Sequence, residues 1–101
     1  MALDDILTER DVKIVNPQGL HARPAALFVK LANTFTSDIE VGNPPMMVSD
    51  ASMMVNGKSI MGVMMLAAEC GSTIKIKASG DDAEQAVSAL AALVQRGFGE
   101  G

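Results

Sequence analysis

Three stretches of the chain alternate apolar and polar side chains with a period of two, the signature of a strand with one buried face. Val12 and Ile14 alternate with Asp11, Lys13 and Val15, and Ile39 and Val41 alternate with Asp38 and Glu40. Across Thr73 to Ala78, the residues Ile74, Ile76 and Ala78 fall on one side and Lys75 and Lys77 on the other. A sheet built from these strands has one dry face and one wet face. Other stretches repeat at three- and four-residue steps. Pro24, Leu27, Phe28 and Leu31, with Lys30 and Asn33 turned elsewhere, predict an amphipathic helix from about Ala22 to Asn33. Ala83, Ala86, Val87, Leu90, Leu93 and Val94 predict another. It is opened by Gly80-Asp81-Asp82, with Gln85 completing a capping box on Asp82, and Gly97 is its stop. A shorter helical piece begins at Ser59, an N-cap ahead of Ile60, Met61, Val63 and Met64, although Gly62 weakens it.

The middle of the chain repeats itself. Met46-Met47-Val48-Ser49-Asp50-Ala51-Ser52 is echoed by Met53-Met54-Val55-Asn56-Gly57-Lys58-Ser59. A repeat fold needs three or more units of about 20 residues or longer, so the echo reads as one lengthened connection, at about 43–55. Either copy can supply the third strand. Asn43-Pro44-Pro45 ends the second strand, because adjacent prolines cannot donate to a ladder. The order is then strand, helix, strand, strand, short helix, strand, helix. One sheet with helices packed on its dry face buries every stripe, which makes the expected fold class α+β, an open-faced two-layer β-sandwich.

Composition narrows the picture. At 101 residues and 49% hydrophobic, the chain suffices for a single domain over 1–101, with its core at about 10–97. Eight Met, three Phe and no Trp or Tyr predict an aliphatic, plastic core with no aromatic platform for stacking bases. A formal net charge of −4 argues against nucleic acid and favours basic protein partners. No apolar run approaches the roughly 18 residues of a membrane span, and Ala2 to Glu9 lacks the order of a signal peptide, so a cytoplasmic protein is expected. Cys70 is the only cysteine, which rules out an intrachain disulfide and suggests a buried structural thiol. With one histidine and that distant cysteine, no metal site is expected.

The chemistry concentrates in Asn16-Pro17-Gln18-Gly19-Leu20-His21-Ala22-Arg23-Pro24-Ala25-Ala26. Asn, Pro and Gly make a turn, and Pro24 sits where a first helical turn tolerates a missing N–H, so His21 falls at or near the N-cap. A helix N-terminus presents unpaired N–H groups and a partial positive charge, and Arg23 adds a fixed cation. Neutral imidazole is a good nucleophile near pH 7, so a phosphate on the His21 ring would be received there. A lone histidine at a helix start is, in general, more often a cap or a surface residue.

Gly19-Leu20-His21-Ala22-Arg23-Pro24-Ala25 resembles the active-site motif of the HPr phosphocarrier proteins of the bacterial phosphoenolpyruvate:sugar phosphotransferase system. Lys58-Ser59-Ile60-Met61-Gly62-Val63-Met64 is similar to that family's regulatory serine segment, and Ala78-Ser79-Gly80 with the acidic entry to the last helix is a third match. The resemblance covers roughly Arg10 to Gly97. It implies a βαββαβα sandwich with a four-stranded antiparallel sheet, in agreement with the order read from periodicity. It implies further that His21 is phosphorylated at Nδ1 by phospho-enzyme I, charged from phosphoenolpyruvate, that Arg23 steadies the phosphoryl group, and that the phosphate passes to an enzyme IIA domain. Ser59 would be the target of HPr kinase/phosphorylase, and Ile60, Met61, Met64 and Lys30 the partner-binding surface. The protein would be a monomeric carrier that is itself the covalent intermediate, with no cofactor, and not an enzyme. The echo departs from the family pattern and leaves the third strand's register open. Two other readings share these residues: a carrier of the nitrogen-related branch, and a corepressor modified on Ser59 alone, against which the presence of His21 speaks.

Overall fold

The computed structural model describes residues 7–43, 54–66 and 68–99. Its elements are β1 (Leu7–Lys13), α1 (Ala22–Ala32), β2 (Asp38–Gly42), β3 (Val55–Asn56), α2 (Ile60–Met65), β4 (Thr73–Ser79) and α3 (Ala83–Gln95), followed by a tight turn at Gly97–Gly99. The strands form one sheet in the order β1-β4-β2-β3, and every neighbouring pair is antiparallel. This is the α+β sandwich that the periodicity predicts. No helix among the described residues is long and apolar enough to cross a membrane.

Alternation along the strands decides the two faces. Val12, Ile39, Val41, Ile74, Ile76 and Ala78 point into one core, where they meet Phe28 and Val29 of α1, Val63 of α2, and Val87, Leu90 and Val94 of α3. Each large side chain enclosed there contributes about 1.5–3 kcal/mol, and this shared burial holds the short helices on the sheet. On the wet face the charges are arranged by register. Glu9, Lys77 and Glu40 lie in one row across three strands, and Asp11 faces Lys75 in another. Lys75 Nζ is 3.1 Å from Asp11 Oδ1 and 3.6 Å from Glu9 Oε1. The hydrogen bond to Asp11, the larger influence, holds the Lys75 ammonium above its ordinary pKa. Opposite signs thus face each other across neighbouring strands.

Local reading and structure part company in four places. β1 begins at Leu7 and ends at Lys13, although Ile14 keeps a strand-like bond from its N–H to Ser72 O at 2.8 Å. The buried face of α1 is Pro24, Ala25, Phe28, Val29 and Ala32, and Leu27 of the expected stripe is 38% exposed. The reason is that α1 touches both α2 and α3, so two neighbours set the direction of its core. Asp82 stands at the N-cap position of α3 but makes no capping bond, so the capping box with Gln85 does not form. Its carboxylate instead accepts the N–H groups of Thr36 and Ser37, each at 2.9 Å, together with both hydroxyls. Four donors from the turn before β2 outcompete one helix N–H. Finally, Cys70 is exposed, with its thiol 3.7 Å from Val15 O, because it sits on the surface turn between α2 and β4.

The third strand comes from the second copy of the echo, in which Val55 pairs with Val41 and Asn56 with Glu40. The next residue explains why this copy fits. Gly57 donates its N–H to Ile39 O at 2.8 Å, and a Cβ on it would lie 2.6 Å from Ile39 Cγ2. The first copy carries Asp50 at the matching place, whose side chain that contact excludes. The first copy itself, Met46 to Ser52, and the Pro44-Pro45 turn lie outside the described residues.

Candidate functional site

The loop between β1 and α1 is locked from within and from one side. The buried Asn16 donates from Nδ2 to Gly19 O at 2.9 Å, and Gly19 N–H donates to Asn16 O at 3.1 Å. Gly19 has φ +67°, and a Cβ there would come within 2.4 Å of Ala68 O, so only glycine fits. Leu20 then buries its side chain and donates its N–H to Ala68 O at 2.9 Å. The short turn Asn16-Pro17-Gln18-Gly19 therefore delivers His21 in a set direction.

His21 is the N-cap residue of α1, with extended backbone (φ −87°, ψ −169°) and its carbonyl accepting Ala25 N–H at 3.0 Å. Its ring makes no capping hydrogen bond, and of its two nitrogens Nε2 is buried. The first turn of α1 itself holds no acidic residue to offset the positive helix end. Arg23 is exposed on that turn. Together with His21 it lines an open hollow that, among the described residues, is also walled by Pro17, Gln18 and Gly99. The hollow is cationic, is backed by a helix N-terminus and contains one nucleophilic ring. Chemically, it suits an anion bound beside, or covalently on, an imidazole.

Ser59 lies at a second helix start. It is the N-cap of α2, in extended conformation, and its Oγ accepts Gly62 N–H at 3.1 Å. Gly62 is less a weakness than a fit, since a Cβ on it would stand 3.1 Å from Asn56 O. The approach to Ser59 is tied to the far end of α1. Lys58 Nζ donates to Phe35 O at 2.7 Å, and the Asn33 C-cap donates from Nδ2 to Val29 O at 2.9 Å and to Lys58 O at 3.4 Å. Beyond Ser59, α2 buries Val63 and leaves Ile60 at 44%, Met61 at 74%, Met64 at 41% and Met65 at 74% exposure. Four exposed apolar side chains on a six-residue helix form a patch of the kind that partners cover. Lys30 sits elsewhere, on the last turn of α1, at a shallow groove toward α3 with Leu27, Leu31 and Leu93.

The structure brings His21 and Arg23 together at one hollow, and both are carried by one contiguous turn. The sequence does not indicate Gly99, which reaches the same hollow from the opposite end of the chain. Met65 is the other addition, and its signal was in the sequence, as it adjoins Met64 at the end of α2.

The family described as "PTS HPr component phosphorylation site" matches residues 8–96. The phosphocarrier protein HPr of Cupriavidus necator is 43% identical over 95 residues, spanning 94% of this chain and 99% of that protein. An HPr-like protein Crh of Halalkalibacterium halodurans is 42% identical over 90 residues, 89% of this chain and 99% of that protein. The crystal structure of an HPr from Thermoanaerobacter tengcongensis superposes with a TM-score of 0.80 at 45% identity, covering 93% of this chain and 98% of that one.

Proposed function

The chain belongs to the HPr family of phosphocarrier proteins, and from that membership we propose that it carries a phosphoryl group on His21 Nδ1 from phospho-enzyme I to enzyme IIA domains of sugar transporters. The observation that carries this reading is the single nucleophilic ring at a helix N-terminus whose first turn has no acidic residue, in one hollow with Arg23. The burial of Nε2 fits a phosphoryl group carried on the other ring nitrogen, Nδ1. In the tautomer that keeps the ring proton on Nε2, the Nδ1 lone pair attacks phosphorus, and the donor's bond to phosphorus breaks as the new P–N bond forms. Negative charge on the phosphoryl oxygens is met by the N–H groups at the start of α1 and by the Arg23 guanidinium. No further acid or base is required, because the group leaves His21 by the same route to the next acceptor. A carrier of this kind works in the cytoplasm, and the α2 patch of Ile60, Met61 and Met64 is its docking surface, with Lys30 a separate contact on α1.

A second reading, a regulatory phosphoprotein, draws on the likeness to an HPr-like protein Crh and on the position of Ser59 beside the α2 patch. Phosphate placed on Ser59 by HPr kinase/phosphorylase adds about two negative charges at the edge of that surface. The two roles can coexist in one molecule.

Incubation with enzyme I and phosphoenolpyruvate, followed by a phosphorus spectrum, tests the carrier role. An acid-labile, base-stable signal is expected in the protein and is expected to vanish in His21→Ala, since His21 is the only histidine. A variant without His21 that still takes up such a label overturns the assignment.

A further inference from the structure

The end of the chain holds a backbone conformation that one of its residues resists. Gly97, Phe98 and Gly99 have φ of 66, 57 and 75°, and Phe98 is the only residue other than glycine with positive φ among the described residues. Glycine enters the left-handed region freely, whereas a Cβ there crowds the following carbonyl oxygen, so phenylalanine stays only where its surroundings hold it. Those surroundings are the core: Phe98 is 5% exposed and belongs to the same cluster as Ile14 and Leu20, which flank the active loop.

The turn that Phe98 occupies touches the site on two sides. Gly97 passes beside the active loop, since a Cβ on it would stand 3.6 Å from Val15 Cγ2 and 3.7 Å from Asn16 Cβ. Asn16 is the residue whose amide secures the Gly19 turn. Gly99, held by its N–H to Arg96 O at 3.3 Å, then forms part of the wall of the hollow that contains His21 and Arg23. Stopping α3 needs only Gly97. A glycine at 98 would follow the same path without steric cost but without an anchor, so the buried ring serves to hold the turn in place and not to permit it.

We propose that Phe98 is a positioning residue for phosphoryl transfer at His21, its buried ring locking the left-handed turn that sets Gly99 as a wall of the phosphoryl hollow. Phe98 touches no reacting atom. It acts through Gly99 and through the Val15-Asn16 side of the loop, where displacements of a fraction of an ångström alter transfer more than they alter docking. This inference rests on the carrier reading of His21.

The test is steady-state transfer from phospho-enzyme I with the carrier as varied substrate, for wild type, Phe98→Ala, Phe98→Gly and Phe98→Leu, well below each melting temperature. Ala and Gly are expected to lower kcat about tenfold with KM within about twofold, and Leu, which keeps an apolar anchor, to recover most of it. The NMR chemical shifts of the His21 ring at fixed pH are expected to move in Ala and Gly and to return in Leu. Phe98→Gly keeps the test open if Phe98→Ala does not fold, because it removes the backbone cost along with the ring. Transfer unchanged in Ala or Gly while only the melting temperature falls overturns the proposal and leaves the carrier reading standing. A rise in KM alone overturns it equally, by making Phe98 a docking element. A wild type that accepts no phosphate defeats the carrier reading, and this inference with it.

Discussion

Arg23 is exposed on the first turn of α1 and is absent from the buried core, so its contribution is chemical, not structural. Arg23→Ala is expected to change stability by less than about 0.5 kcal/mol. The same change is expected to slow phosphoryl uptake and release by about tenfold or more, the N–H groups of α1 supplying the remainder. Melting curves and transfer rates in both directions check this, and unchanged rates would show that the helix N-terminus suffices. Residues of this kind were legible in the sequence because turn chemistry, nucleophile and cation are consecutive from Asn16 to Arg23. Asp82 and Cys70 were not. Where Asp82 sends its carboxylate depends on Thr36 and Ser37, and the exposure of Cys70 depends on how α2 connects to β4.

α2 has only six residues, too few to be stable alone, so its cap and its single buried Val63 matter more than they would in a longer helix. Ser59→Ala removes the Oγ acceptor of Gly62 N–H and is expected to cost about 1 kcal/mol, a fall of about 4–8 °C in melting temperature. Transfer from enzyme I should stay near normal, because the exposed patch is unchanged. Ser59→Asp is expected to do the reverse: it caps as well as serine, leaving stability level, but sets a charge beside Ile60, Met61 and Met64 that docking would have to desolvate. Calorimetry and transfer rates on both variants separate the roles, and equal transfer by the two would show that this face is not the docking surface. At this scale the sequence located all three helices but misjudged which side of α1 is enclosed. Periodicity reports that a helix has an apolar face, whereas the choice between Leu27 and Val29 belongs to the flanking α2 and α3.

Across the molecule, the Asp82 carboxylate joins the start of α3 to the turn that enters β2. The Ser37 hydroxyl above all, then the Thr36 N–H, hold its pKa at about 2, below the ordinary 3.8. A depressed folded-state pKa means that its stabilisation is complete above about pH 4 and is lost as pH falls toward about 2. Urea midpoints are therefore expected to drop across that interval in wild type, whereas Asp82→Asn is less stable at pH 7 and lacks this part of the drop. Parallel curves for the two proteins would remove Asp82 from the account. By itself the sequence determined the strands and helices, the dry and wet faces, and the turn that presents His21 and Arg23, because each is decided by residues within a few positions of one another. Only the tertiary structure decided that Gly57 and not Asp50 follows the third strand, that Asp82 serves β2 instead of α3, and that Gly99 walls the hollow of His21. Those outcomes turn on close contacts between segments far apart in the chain, where an ångström of space or one competing donor selects among choices that are locally equivalent.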